Sequence, residues 1–153
     1  MLLATDGSPC SRLALDQTAN LAAAAEADVM VLVVSDMVFL RPSYGLEPEL
    51  LVPSNAEAAD ILQEAFAFLK ARGIRARTLH RVGPAPEIIV SVAREEKADM
   101  IVVGSHGRSG LQRFLLGSVS EKVLAHAPCT VLITRAPRQN GMEARGTTVL
   151  PRP

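Results

Sequence analysis

Residues 100–121 read MIVVGSHGRSGLQRFLLGSVSE, and this stretch decides the fold. It opens with Met100–Val103, a short apolar run without polar alternation, which is typical of a strand covered on both faces in a parallel sheet. Glycines follow at 104 and 107, and Gly117-Ser118 stands where another helix begins. The stretch therefore predicts a strand, a glycine-punctuated loop and a helix in succession.

Three more runs have the same apolar character, at Met1–Thr5, Val29–Val34 and Thr130–Ile133. The segment Ile74–Val82 instead alternates apolar residues with arginines, which predicts a strand at the edge of the sheet. Segments with the apolar period of helices lie between these runs. Five strands alternating with four helices predict an α/β fold, an open doubly wound five-stranded parallel sheet with helices on both faces.

Local signals predict where the helices begin and end. Pro9 suits the first position of the first helix, with Ser8 as its N-cap. Gly73 stands where a left-handed residue ends the second helix. The third helix is predicted from about Pro86 to Lys97, and the last from Ser118 to about His126, before a proline.

Composition and charge exclude several classes of function. The 153 residues suit a single domain, and 16 basic against 16 acidic residues remove the charge excess of a nucleic-acid-binding protein. No apolar stretch reaches the roughly 18 residues of a membrane span, and Asp6 follows the start too soon for a secretory signal. Cys10 and Cys129 lack the spacing of a zinc or redox motif. We expect a cytoplasmic protein without a metal site, a nucleic-acid partner or membrane contact.

Ligands of doubly wound sheets bind beyond the carboxyl ends of the strands, where the strand order reverses. The segments at those ends are Asp6-Gly7, Ser35-Asp36 and the loop from Gly104. Glycines at 104 and 107 allow close approach of an anion and φ values that other residues resist. The free N–H groups of the helix that starts near Gly117-Ser118 also favour negative charge.

A structural explanation competes for each of these residues. Glycines often mark turns, and Ser118 with Glu121 matches a capping box that needs no ligand. Asp6 could cap the turn into the first helix, and Asp36 could be a turn residue. The position of the loop, directly after an apolar strand at the binding edge, nevertheless favours anion or nucleotide binding.

The loop also fits the pattern G-x-x-G, nine residues, G-[ST], with Gly104, Gly107, Gly117 and Ser118 in the fixed places. This pattern resembles the ATP-binding signature of the universal stress protein family. The segments 4–8, 33–36 and 130–133 look like that family too. The likeness covers residues 1–135, which we interpret as one domain, and we expect the tail 136–153 to be disordered.

The resemblance implies a five-stranded sheet in the order 3-2-1-4-5, of the adenine nucleotide alpha hydrolase-like type. It implies ATP in the crevice and a homodimer, for which the last strand, Thr130–Ile133, is the candidate contact. A Mg²⁺ ion held through the phosphates, which Asp6 could bind, is an open alternative. Asp6 would contact the ribose and Val34 would offer its backbone to the adenine. The phosphates would be held around Gly104 and Gly117, by Ser118 and by the amides of Gly107, Arg108, Val119 and Ser120.

The leading hypothesis is a nucleotide-dependent sensor or signalling dimer in the stress response, with slow or no hydrolysis. The phosphate-reaching lysine of G-x-x-x-x-G-K-[ST] and the turn G-x-G-x-x-G are both missing. His106 lies in the loop, but the sequence offers no partner that would orient it as a general base. A nucleotide hydrolase or adenylating enzyme, and an interaction protein without nucleotide, remain alternatives.

The connection Met37–Pro53 does not fit the alternating scheme. It contains three prolines but also many apolar residues, and it is longer than typical connections. A flap over the ligand and a partner contact are open alternatives. A short packed turn is the interpretation that we favour.

Overall fold

The computed structural model describes residues 1–35, 38–40, 49–51, 55–107 and 116–135. Its elements, in chain order, are β1 (Leu2–Ala4), α1 (Pro9–Ala25), β2 (Val29–Ser35), β3 (Val38–Leu40), β4 (Glu49–Leu51), α2 (Asn55–Ala71), β5 (Ala76–Val82), α3 (Ala85–Glu95), β6 (Met100–Gly104), α4 (Ser118–His126) and β7 (Thr130–Thr134). The tail 136–153, predicted to be disordered, lies outside the described residues.

Five parallel strands form the main sheet in the order β5-β2-β1-β6-β7. In the numbering of the predicted strands this is the order 3-2-1-4-5, so the predicted topology is confirmed. Strand β5 lies at one edge, as its alternating pattern predicts, and β7 lies at the other. The strand order reverses at β1, which places a crevice where the connections from β1 and β6 leave the sheet in opposite directions.

The connection after β2 differs from the expected packed turn. It contains a second, two-stranded sheet in which β3 pairs antiparallel with β4, with Phe39 opposite Leu50. The five-strand count from the sequence was therefore too low by these two short strands. Three residues are too few to show the two-residue alternation by which a strand is recognised in sequence.

The sheet has one apolar layer on each face. Leu3, Val31 and Val102 point to one side and pack with apolar residues of α1 and α2. Their neighbours Leu2, Leu32 and Ile101 point to the other side and pack with α3 and α4. All six side chains are almost completely buried, which explains why these strands read as continuous apolar runs.

The helix boundaries follow the local signals closely. The hydroxyl of Ser8 accepts a hydrogen bond from the backbone N–H of Ser11 at 3.3 Å, so it caps α1 as predicted. Gly73 adopts φ +72° after α2. Helix α3 ends at Glu95, two residues before the predicted end, and Lys97 is left-handed with φ +50°. Within the described segments, no helix is both long and apolar enough to cross a membrane.

Candidate functional site

A cavity of about 520 Å³ lies at the carboxyl edge of the sheet. It is bounded by the ends of β1, β2 and β6, by the first turn of α4, and by residues of α2 and α3. Its volume lies within the range of small-molecule sites, about 300–1,000 Å³. Eight of the predicted site residues line it: Asp6, Val34, Gly104, Gly107, Gly117, Ser118, Val119 and Ser120. Arg108, the ninth, and Asp36 lie outside the described residues.

The two ends of the cavity differ in chemistry. On the β2 side the lining is largely apolar, with Leu32, Val33, Val34, Ala58, Ile61, Ala85 and Ile89. On the β6 and α4 side it is small and polar, with Gly104, Ser105, His106, Gly107, Gly117, Ser118 and Ser120. Strand β1 lies between the two sides and contributes Thr5 and Asp6. The cavity is therefore suited to a ligand with a flat apolar group at one end and an anionic group at the other.

Asp6 lies between these ends and has two roles in the fold. Its Oδ1 accepts a hydrogen bond from the N–H of Ser8 at 3.0 Å, which stabilises the turn between β1 and α1. Gly7, inside this turn, adopts φ +76°, a conformation that L side chains resist. The expected capping role of Asp6 is thus real, and the same carboxylate also lines the cavity.

The glycines of the motif make room for the protein itself. A Cβ on Gly104 would lie 3.0 Å from backbone atoms of Cys10 and Ser11, at the start of α1. A Cβ on Gly107 would lie 2.7 Å from Oδ2 of Asp6, and one on Gly117 would lie 3.1 Å from the carbonyl oxygen of Ser105. The expectation that Gly104 and Gly107 need unusual φ values was wrong, because neither has a positive φ. Close packing against backbone atoms explains glycine at 104 and 117, whereas the nearest neighbour of Gly107 is the side-chain carboxylate of Asp6.

The loop is closed at its base by one carbonyl group. The carbonyl oxygen of Ser105 accepts hydrogen bonds from the N–H of Gly117 at 2.7 Å and from Oγ of Ser120 at 3.1 Å. Oγ of Ser120 also contacts the carbonyl of Gly117 at 2.9 Å. The hydroxyl of Ser120 is thus occupied by loop closure, and only its backbone amide remains as a candidate ligand contact. These bonds bring the two glycine pairs of the motif to one place.

Helix α4 begins without a side-chain cap. Gly117 is the N-cap residue, with φ −76°, and Ser118 is already the first residue of the helix. The alternative that Ser118 and Glu121 form a capping box is therefore wrong, because Ser118 lies one position too late to cap. The side chain of Ser118 is exposed and lines the cavity together with Val119.

His106 has a partner that the sequence did not reveal. Its Nδ1 lies 3.1 Å from Oγ of Ser105, and the Ser105 side chain is completely buried. Both residues line the cavity at its polar end. Sequence reasoning missed this contact because a hydroxyl on the preceding residue is not one of the carboxylate or backbone partners expected to orient a catalytic imidazole.

A second histidine contact lies at the apolar end, where Oγ of Ser35 and Nε2 of His80 are 2.9 Å apart. Ser35 is the last residue of β2 and lines the cavity. Glu57, in the first turn of α2, also lines the cavity and was not predicted. Among the residues that the structure describes, no group of three or more His, Cys, Asp or Glu side chains is arranged to hold a metal ion.

Comparison with known proteins identifies close relatives over almost the whole described chain. The model of the universal stress protein family matches residues 1–135. A universal stress protein of Bacillus subtilis is 35% identical over 145 residues, which are 88% of this chain and 97% of that protein. One from Methanocaldococcus jannaschii is 33% identical over 144 residues, which are 91% of this chain and 83% of that protein.

Solved structures share the fold. A universal stress protein in complex with cAMP is 32% identical, with a TM-score of 0.67 over 88% of this chain and 94% of its own. The universal stress protein from Archaeoglobus fulgidus in complex with dAMP has a TM-score of 0.65 at 24% identity, over 87% and 94% of the two chains. An Arabidopsis thaliana family protein with AMP bound has a TM-score of 0.62 at 17% identity, over 90% and 91%.

Proposed function

The chain belongs to the universal stress protein family, and from its cavity we propose that it binds ATP and acts in the cytoplasm as a nucleotide-dependent sensor or signalling dimer of the stress response. The observation that carries this proposal is the cavity itself. It is lined by residues of the G-x-x-G and G-[ST] pattern at a polar end and by aliphatic side chains at the other. Adenine and a polyphosphate need these two environments.

At the apolar end, the base would lie among the side chains that β2, α2 and α3 contribute, and the backbone of Val34 would contact the adenine. In the middle, the carboxylate of Asp6 would accept a hydrogen bond from a ribose hydroxyl. Because this carboxylate is already held by the N–H of Ser8, it would meet the ribose without a large loss of side-chain freedom.

At the polar end, backbone amides and the start of α4 would hold the phosphates. Gly104 and Gly117 lie at the base of the loop, and the amides of Gly107, Val119 and Ser120 would donate to phosphate oxygens, with Ser118 adding its hydroxyl. Helix α4 has no side-chain cap, so its first N–H groups would be available to an anion. We propose Arg108 as a further phosphate contact on the basis of its place in the motif.

Charge balance supports a magnesium ion held through the phosphates. The described residues that line the cavity include the carboxylates of Asp6 and Glu57 but neither lysine nor arginine. A polyphosphate bound there needs compensating positive charge, and Mg²⁺ is commonly bound by substrate phosphates with few protein ligands. The ion would reach the site with the nucleotide.

Slow or absent hydrolysis is part of the proposal. The loop lacks the phosphate-reaching lysine of the G-x-x-x-x-G-K-[ST] motif. We therefore expect at most slow turnover of ATP.

We further propose that two copies pair through β7. This strand is an edge of the main sheet, with β6 as its one neighbour there. Val131, Leu132 and Ile133 in it are only half-buried. An apolar edge strand invites pairing with another chain, and a two-fold axis would close the pairing as a dimer.

The relatives support the nucleotide class. The protein solved with cAMP shares 32% of its residues with this chain, and the proteins solved with dAMP and AMP share the fold. All three ligands contain adenine, which agrees with an apolar base site beside β2.

Native mass spectrometry of protein purified without added nucleotide tests the proposal directly, followed by calorimetric titration with ATP and Mg²⁺. We expect a bound adenine nucleotide or micromolar binding, and a complex mass of two chains. If the purified protein holds no nucleotide and the titration with ATP and Mg²⁺ detects no binding, the nucleotide-free interaction protein is the correct alternative. Rapid release of ADP during the titration would instead favour the hydrolase.

A further inference from the structure

Ser35 differs from the other residues at the apolar end of the cavity because it carries a hydroxyl. It follows Val34 at the end of β2 and lines the cavity. Its backbone carbonyl already accepts a hydrogen bond from the N–H of Gly83 at 2.9 Å. The hydroxyl is therefore the group through which Ser35 can contact a ligand, at the end where the base would lie.

His80 holds this hydroxyl from the neighbouring strand. In the parallel pairing of β2 and β5, His80 is opposite Val33 and Val82 is opposite Ser35. Residues two apart on a strand lie on the same face, so Ser35 and His80 share one face of the sheet. Their side chains meet at 2.9 Å between Oγ and Nε2. His80 does not line the cavity in the described part of the chain, so any effect on a ligand passes through Ser35.

A serine hydroxyl has a single hydrogen, and its partner decides where that hydrogen points. If Nε2 of His80 is unprotonated, Ser35 donates to it and presents only lone pairs to the cavity. If Nε2 carries a proton, Ser35 accepts that proton's hydrogen bond and its own hydrogen is free to point at a ligand. In the neutral tautomer that carries its hydrogen on Nδ1, Nε2 of His80 is unprotonated, and protonation of this tautomer converts Ser35 from an acceptor into a donor.

We propose that the hydroxyl of Ser35 forms a hydrogen bond with the substituent at position 6 of the purine base. His80 is the positioning residue that determines whether this hydroxyl donates or accepts. The inference rests on the proposed nucleotide-binding function. With His80 neutral and its hydrogen on Nδ1, Ser35 accepts a hydrogen bond from the 6-amino group of adenine. The same lone pairs repel the 6-oxo group of hypoxanthine or guanine. With protonated His80, Ser35 donates and this preference is lost.

The surroundings of His80 in the described structure contain charges of both signs. Its own strand carries Arg77 and Arg81, and Arg81 donates to the backbone carbonyl of His80 at 3.3 Å. The partner strand β2 carries no charged residue. Helix α2, which packs on β5, carries the charged residues Glu57, Asp60, Glu64 and Lys70. Histidine is the side chain whose charge ordinarily changes between about pH 5 and 8, and this sets the pH range of the test.

The test compares the Kd values of ATP and of inosine triphosphate, both with Mg²⁺, for the full chain at about pH 5.5 and about pH 7.5. The triphosphate is the same in both nucleotides, so pH effects at the phosphate end of the site cancel in the ratio of the two Kd values. We expect the preference for ATP to be about three- to tenfold larger at the higher pH, the effect of one neutral hydrogen bond. His80→Gln retains a polar partner that does not titrate and should make the ratio independent of pH.

Two further variants sharpen the comparison. Ser35→Ala removes the hydroxyl and should lower the ATP preference and abolish its pH dependence. His126→Gln is the matched control, because His126 is exposed at the end of α4, where it contacts the carbonyl of Lys122. It should behave as the wild type. A wild-type protein that binds neither nucleotide contradicts the proposed function. A protein that binds both with the same ratio at both pH values, or a Ser35→Ala variant with the wild-type ratio, contradicts this inference alone.

Discussion

Adding one methyl group at position 107 should test whether the loop and Asp6 act together. In Gly107→Ala the new Cβ would lie 2.7 Å from Oδ2 of Asp6. Ordinary C···O contacts lie at about 3.3 Å or more, so the carboxylate must retreat by about 0.6 Å. The carboxylate is the end of a short, movable side chain, so it yields more easily than the backbone.

Displacement of the carboxylate should lower the free energy of ATP binding by more than it lowers the free energy of unfolding. Movement of the carboxylate strains the 3.0 Å hydrogen bond from Ser8 to Oδ1. Because Asp6 is only half-buried, we expect a loss of about 1 kcal/mol or less in the free energy of unfolding. A ribose contact to the displaced carboxylate would be lost, which should weaken ATP binding by about tenfold, roughly 1.4 kcal/mol.

A double-mutant cycle with Asp6→Ala shows whether the effect passes through Asp6. Calorimetric titration with ATP and Mg²⁺ on the four proteins gives the coupling, and circular dichroism checks that each is folded. If the contact is the cause, Gly107→Ala should change affinity by less than about twofold once Asp6 has been removed. An equal loss with and without Asp6 would refute the reasoning, since the methyl group would then act on the phosphates directly.

Four further predictions concern the rest of the chain. Gly104→Ala places a Cβ 3.0 Å from backbone atoms of Cys10 and Ser11, so urea denaturation should show a loss of about 1–3 kcal/mol, and unchanged stability would mean that α1 can shift. Val131→Asp in β7 should produce monomers in light scattering, whereas Thr78→Asp on the opposite edge strand should leave the dimer intact. A Val131→Asp variant that is still dimeric would contradict the proposal that β7 forms the dimer interface. Burial raises the pKa of the Cys129 thiol, and the nearby charge of Asp99 adds to the rise. Less thiolate is therefore present at about pH 8, and iodoacetamide should modify Cys129 more slowly than a model thiol. Peptide mapping without reductant should find no intrachain Cys10–Cys129 bridge. Cys10 contacts Thr134 at one end of β7 and Cys129 precedes the other end, so a strand length of about 16 Å separates the two cysteines.

The sheet was predictable from sequence because its central strands are buried on both faces. Such strands show as uninterrupted apolar runs, and the arginines of β5 marked the edge. The pair β3 and β4 was not predictable, because each strand has three residues and the connection contains prolines at 42 and 48. Runs that short have no measurable period.

The functional site likewise has one part that the sequence predicts and another that it does not. Six of the eight residues expected at the site belong to the loop and the helix that follows it, whereas Asp6 and Val34 were expected there because ligands bind at the carboxyl ends of parallel strands and because the sequence resembles the family. The contact between Ser35 and His80 joins residues 45 positions apart, and it depends on the register between β2 and β5. The alternation of β5 indicates the face on which His80 lies. The sequence does not give the pairing register between β2 and β5, so it does not identify the β2 residue that His80 contacts.

The three motif glycines have different neighbours, and this difference determines what an intact motif can mean. The space beside Gly104 is taken by the start of α1 and that beside Gly117 by the carbonyl of Ser105, so both are needed for the loop to close whether or not a nucleotide binds. Gly107 instead has as its nearest neighbour, at 2.7 Å, the carboxylate of Asp6, a side chain that also lines the cavity. Selection for folding alone would therefore preserve two of the three glycines. The pair of Gly107 and Asp6 is where a requirement for ligand binding can be separated from a requirement for the fold, because Gly104→Ala should lower mainly the stability, whereas Gly107→Ala should lower mainly the affinity for ATP.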